Sequence, residues 1–212
     1  MSRKGANNSL NAITAWFVAA ICLYSQGSFA QTDTCEQIGA MARMARADSA
    51  SAVMAEQQNT GSSYRANTVF AARMFVLLPT DATAAERLLS LMPSTNDESI
   101  VWGNFGLAFC QQESDSDMTT LAKLGAQLPS LLASAVILKP VELPRYVKCA
   151  LLAVGDPDND HTVQMEQVCR MKRHDFLLAV GKLDPDERKW FDSRIFDVKK
   201  CKAIHLPESD VE

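Results

Sequence analysis

Apolar positions in residues 66–94 (ANTVFAARMFVLLPTDATAAERLLSLMPS) fall at helical spacing twice, and each run closes on a proline. Laid over itself at an offset of 14, AARMFVLLPT matches AERLLSLMPS. Ala71 falls on Ala85, Arg73 on Arg87, Leu77 on Leu91 and Pro79 on Pro93. Each run is too short to be stable as an isolated helix. Each must bury its apolar face on the other and on further helices. The stretch is therefore expected at the centre of an all-helical domain.

The same kind of pattern continues on both sides. Asp33 with Glu36 reads as a capping box opening a helix to about Gln58, with Cys35, Ile38, Met41 and Ala45 at helical spacing. Its thin apolar stripe predicts a place on the outside of the fold, and Asn59-Thr60-Gly61 ends it. A second helix is predicted over residues 62–78, stopped by Pro79. Thr83 with Glu86, and Thr95 with Glu98, read as boxes opening the next two, the later one carrying Val101, Phe105, Ala108 and Phe109.

Residues 111–117 (QQESDSD) read as a polar acidic loop. Met118, Leu121, Leu124 and Leu128 make another stripe, broken or kinked at Pro129, with helix resuming over 130–138. Residues 135–143 are the one place where a short extended piece is compatible with the pattern. Helices over 145–154 and 161–180 both end in LLAVG followed by Asp-Pro-Asp, which predicts left-handed glycines at Gly155 and Gly181 and a capped restart. Asp184, Pro185 and Glu187 start a final helix carrying Phe191, Ile195 and Val198, and a loose tail follows from about 206. Offsets of 14 and 26 share no period with a standard helical repeat. The expected fold is all-α: an irregular bundle or short solenoid of about eight antiparallel helices.

The first 30 residues read differently. Arg3 and Lys4 precede an apolar core over residues 12–24, and Ser28-Phe29-Ala30 offers the small residues a signal peptidase reads. Cleavage between Ala30 and Gln31 is expected, giving a signal peptide over 1–30 and one domain over 31–212. Thirteen apolar residues fall short of the roughly 20 a bilayer needs. No later run reads as long enough either, so no membrane span is expected after the leader. Ile21 is too large for a lipoprotein site at Cys22.

Charge and cysteine narrow the function classes. The 212-residue chain is net −4, and losing two leader cations takes this further negative, which argues against a nucleic-acid partner. Without Cys22, five cysteines remain: Cys35, Cys110, Cys149, Cys169 and Cys201. In an exported chain they are first read as disulfide partners. Cys169 and Cys201 lie at similar distances from the turn between the last two helices and are the preferred pair. Cys35 with Cys110 follows from what is left. Cys149 is then unpaired, or a competitor for Cys169.

Chemistry-bearing motifs are absent. Asp156, Asp158 and Asp160 alternate as in a calcium loop, but His161 and Gln167 stand where glycine and glutamate are required. Cys169, His174, Cys201 and His205 have poor zinc spacing. No nucleophile elbow, metalloprotease helix or phosphate loop occurs, and Glu113 and Asp115 lack an apolar setting. The reading assigns no catalytic, cofactor or metal residue. Arg170, Lys172, Arg173, Lys199, Lys200 and Lys202 concentrate cations on the last two helices, opposite acids at 113–117. These features point to a periplasmic or secreted non-enzymatic binding protein with a protein partner. An inhibitor, an immunity-type protein neutralising a toxin and a partner-binding scaffold all fit. The alternative is a helical envelope hydrolase whose catalytic carboxylates come from distant segments.

Overall fold

A computed structural model describes residues 33–103, 115–152 and 161–201. The leader, its cleavage site at Ala30–Gln31, Cys110, the 156–160 acids, Gly155, His205 and the tail lie outside the described residues. Those described are helical, with no strand among them: α1 (Cys35–Arg46), α2 (Ala50–Gln57), α3 (Tyr64–Leu77), α4 (Ala82–Ser90), α5 (Asn96–Gly103), α6 (Asp115–Leu138), α7 (Leu143–Leu152), α8 (His161–Met171), α9 (Arg173–Gly181) and α10 (Pro185–Trp190). A π-helical turn (Phe191–Ile195) and 3-10 turns (Pro140–Glu142, Val198–Lys200) complete them.

The first helix of the sequence reading is two helices. Thr34 and Gln37 form the capping box, not Asp33 and Glu36. Asp33 instead accepts from Arg65 at 2.8 Å. Ala47 leaves helical backbone, and Ser49 caps α2 by accepting from the Ala52 N–H. Nor is α1 peripheral. Ile38, Gly39, Ala40, Met41, Ala42, Met44 and Ala45 are all buried. Small residues let α2, α3 and α6 close on it from several sides, so a thin apolar stripe did not mean a thin buried face.

The two halves of residues 66–94 do pack on each other as α3 on α4. Ser63 caps α3, and Asp81 rather than Thr83 caps α4, accepting from the Ala84 N–H at 2.7 Å. Thr95 does cap α5, while the Glu98 carboxylate reaches back to Ser94, accepting from its N–H at 2.6 Å.

The helix that joins the two ends of the chain is α6. It contacts α1, α3 and α4 on one side of the sequence and α7 and α8 on the other. Pro129 lies inside it rather than ending it, and Asp115–Asp117, expected in a loop, form its first residues. A proline has no N–H, so the Gly125 carbonyl loses its helical donor. Burial of Leu121, Leu124, Leu128, Leu132, Ala133, Ala135 and Val136 along one face offsets that loss. The continuous helix is longer than the broken run read from the sequence: Thr119–Leu138 is long and apolar enough to cross a membrane by length and composition alone. Its buried face belongs to the common core, which is where such a helix sits in many packed domains. Residues 135–143 are not extended. The helix runs to Leu138, and the 3-10 turn follows directly.

Arginines tie the elements together. Arg43 pairs with Glu56 at 3.0 Å and Arg46 pairs with Asp117. Arg73 donates to the Ala47 carbonyl at 2.7 Å, and Arg145 to the carbonyls of Ser90 and Met92 at 3.1 and 2.9 Å. Arg73 and Arg145 thereby satisfy carbonyls just past the ends of α1 and α4, where helices lack internal donors. Gly61 has φ +70°, and a Cβ there would stand 2.7 Å from Gln37 Nε2.

Candidate functional site

The chain from 161 to 180 is two helices. Lys172 breaks them, with φ −134° and ψ 45°. Gly181, expected to be left-handed, is the last residue of α9, and the right-handed Lys182 caps it. The Asp184 box is intact: its side chain accepts from the Glu187 N–H at 2.8 Å, and Glu187 reaches back to the Asp184 N–H.

The final helix stops sooner than the pattern suggests. It ends at Trp190 and widens into the π turn, closed by the Phe196 N–H on the Phe191 carbonyl at 3.0 Å. The reason lies in the aromatic packing. Phe176 of α9 meets Phe191 at 6.4 Å and Phe196, edge-on, at 5.9 Å. All three rings are buried. In a π turn, residues five apart are joined, which brings Phe191 and Phe196 to the same side of the segment. Thr162 holds the turn from α8, donating to the Ile195 carbonyl at 2.9 Å.

Cys169 and Cys201 form the disulfide, with Cα atoms 5.8 Å apart. Both are buried. The Arg173 Nε–H donates to the Cys201 carbonyl at 3.3 Å, so the last described turn is tied to the α8–α9 junction twice. Asp197 caps that turn, accepting from the Lys199 N–H at 3.0 Å. Cys35 is also disulfide-bonded, and its expected partner Cys110 lies outside the described residues.

Cys149 carries a free, buried thiol on α7. Burial pushes it up to about 12. The nearby Glu98 carboxylate acts in the same direction, and the Arg145 guanidinium opposes it. Such a thiol stays protonated and unreactive at neutral pH. Tyr146, one turn earlier, has its hydroxyl buried without a hydrogen-bond partner, and burial raises its ionisation far above the ordinary phenol range.

Of the basic residues named from the sequence, Lys202 lies outside the described residues, and the other five lie within four positions of the Cys169–Cys201 bond. The disulfide sets Lys199 and Lys200 beside Arg170, Lys172 and Arg173. Arg170 pairs with Glu166 one turn earlier. Among the described residues, Lys172, Lys199 and Lys200 have no acidic partner. Sequence reasoning missed the apolar side chains exposed on α8, α9 and α10: Val163, Met171, Leu178 and Trp190. Leu178 and Trp190 adjoin the buried Ala179 and Phe191, whereas Val163 and Met171 stand between exposed or half-buried neighbours, so the four share no periodic signal. His174 is exposed on α9 and stands in no metal cluster. Among the described residues, no group of three or more His, Cys, Asp or Glu side chains is arranged to hold a metal.

Compared with known protein families, curated proteins and solved structures, the chain has no match.

Proposed function

We propose that the chain is an exported, non-enzymatic binding protein of the bacterial envelope, of the inhibitor or immunity type, acting on another protein. The observation that carries the reading is the Cys169–Cys201 pairing in an all-α chain that begins with a charged and then apolar leader. Structural disulfides persist in oxidising compartments. The exposed apolar side chains Met171, Leu178 and Trp190, the first of them between Arg170 and Lys172, support binding as the activity. The inhibitor or immunity label rests on compartment and fold class alone.

Two measurements test this. Fractionation with intact-mass analysis should find the chain in the periplasm or medium, lacking residues 1–30 and carrying the oxidised Cys169–Cys201 pair. Affinity capture of that mature chain from envelope extract should return one protein in stoichiometric amount. A full-length chain in the cytosol with free thiols at both positions would overturn the reading.

A further inference from the structure

We infer that the disulfide-linked junction of α8, α9 and the last 3-10 turn is a docking face for an acidic protein segment. The inference rests on the binding reading above and names the site and the chemistry of the partner.

Three observations lead there. First, the face is assembled from two parts of the chain 32 residues apart in sequence. Cys169 and Cys201 bring them within 5.8 Å at Cα, and Arg173 fixes the Cys201 carbonyl. Five cations, Arg170, Lys172, Arg173, Lys199 and Lys200, therefore lie within four residues of this bond. Second, the acids on these elements do not cancel them. Glu166 engages Arg170, Asp197 is used as a cap and Asp175 is exposed on α9, three acids against five cations. The area is net positive on a chain that is net −4. Third, Met171 stands within it and is 56% exposed. Methionine adapts its shape to an incoming apolar side chain.

Charge decides the occupant. An isolated positive area on an acidic molecule steers an acidic partner to one place and repels it elsewhere. One flexible apolar contact within a compact cationic group suits a short peptide with an apolar residue among carboxylates. A lipid surface would instead call for a broad apolar face ringed by cations. Lysine also suits this task better than a fixed arginine fork, because its point charge follows a mobile carboxylate. The disulfide is then part of the recognition surface, since it sets the spacing of the two cationic segments.

The test uses the oxidised mature chain and a fluorescent peptide of about ten residues, Glu and Asp with one central Leu. Fluorescence anisotropy should show saturable binding that weakens as salt rises. The K199E/K200E variant should bind at least tenfold more weakly. The C169A/C201A variant, which keeps every cation, should bind several-fold more weakly if its circular dichroism is unchanged. A K123E/K139E variant, with the same change in net charge on α6 and just past its end, should stay within twofold. Equal binding by K199E/K200E overturns the inference, as does binding to phosphatidylglycerol vesicles without peptide binding. If K199E/K200E still captures the same envelope protein as the native chain, this face is wrong while the binding-protein reading stands.

Discussion

Replacing Cys169 and Cys201 together by alanine should lower stability by about 4 kcal/mol. The bond closes a loop with a sequence separation of 32. Chain-entropy reasoning for that length gives about −12 cal/mol/K in the unfolded chain, or about 3.7 kcal/mol at 25 °C. Loss of two buried sulfur atoms adds a packing term of the same sign, since Cys169 is fully buried and Cys201 is 5% exposed. Urea unfolding followed by circular dichroism measures the sum. With a slope of about 2 kcal/mol/M, the midpoint should fall by about 2 M. The single variant C201A should lose nearly as much, because either one removes the loop. A loss below about 1 kcal/mol would refute the reasoning. It would mean that the unfolded chain already holds residues 169 and 201 close together.

Four other outcomes are expected. Gly61→Ala should cost about 1–2 kcal/mol from the left-handed backbone alone, and more if Gln37 is displaced from its cap, read by thermal unfolding. Asp184→Ala should cost about 1 kcal/mol and Asp184→Asn much less, because only alanine removes the oxygen that accepts the Glu187 N–H. Phe176→Ala should cost about 3–5 kcal/mol and abolish the near-ultraviolet signal of the aromatic group, whereas a surviving signal would separate Phe176 from that group. Cys149 gives a pH test. Its folded ionisation lies near 12 against an ordinary 9.0, so the folded thiol holds its proton while the unfolded one loses it. Its contribution is therefore full below pH 9 and is lost as pH rises from 9 towards 12, at roughly 1 kcal/mol per pH unit. Cys149→Ala should flatten that segment of the stability curve.

Helix type was legible in the sequence because capping chemistry is local. The Asp184 box, the Thr95 cap and the α3–α4 pair all follow from residues a few positions apart. The errors came where distant groups decided the outcome. Asp33 looked like a cap, yet Arg65, 32 residues on, takes its carboxylate at 2.8 Å. Pro129 reads as a break or a kink with helix on both sides, and the packing of α6 against both ends of the chain carries one helix through it. Alanine and glycine made α1 look polar-sided, because hydrophobicity scales undervalue residues whose contribution is closeness. The Cys169–Cys201 pair was reached through an idealised hairpin of two straight helices. The structure makes the same pair with a break at Lys172 and a π turn between. The basic cluster was visible as composition, but its area is set by the disulfide, and the exposed Met171 within it was not readable from any pattern.

The chain sorts its cations by residue type, and this has a consequence for chemical labelling. Arg43, Arg46, Arg65, Arg73 and Arg145 are spent on ties between helices. Among the described lysines, Lys139 and Lys148 are the two with acidic partners. An acylating reagent neutralises lysine amines and leaves guanidinium groups intact. Treated with such a reagent, the folded chain should therefore lose the Lys172, Lys199 and Lys200 charges of its positive face while keeping Arg170, Arg173 and the arginine ties between helices. A dicarbonyl reagent selective for arginine should do the reverse and loosen the fold. The two reagents would thus separate surface charge from structural charge in one unmutated protein.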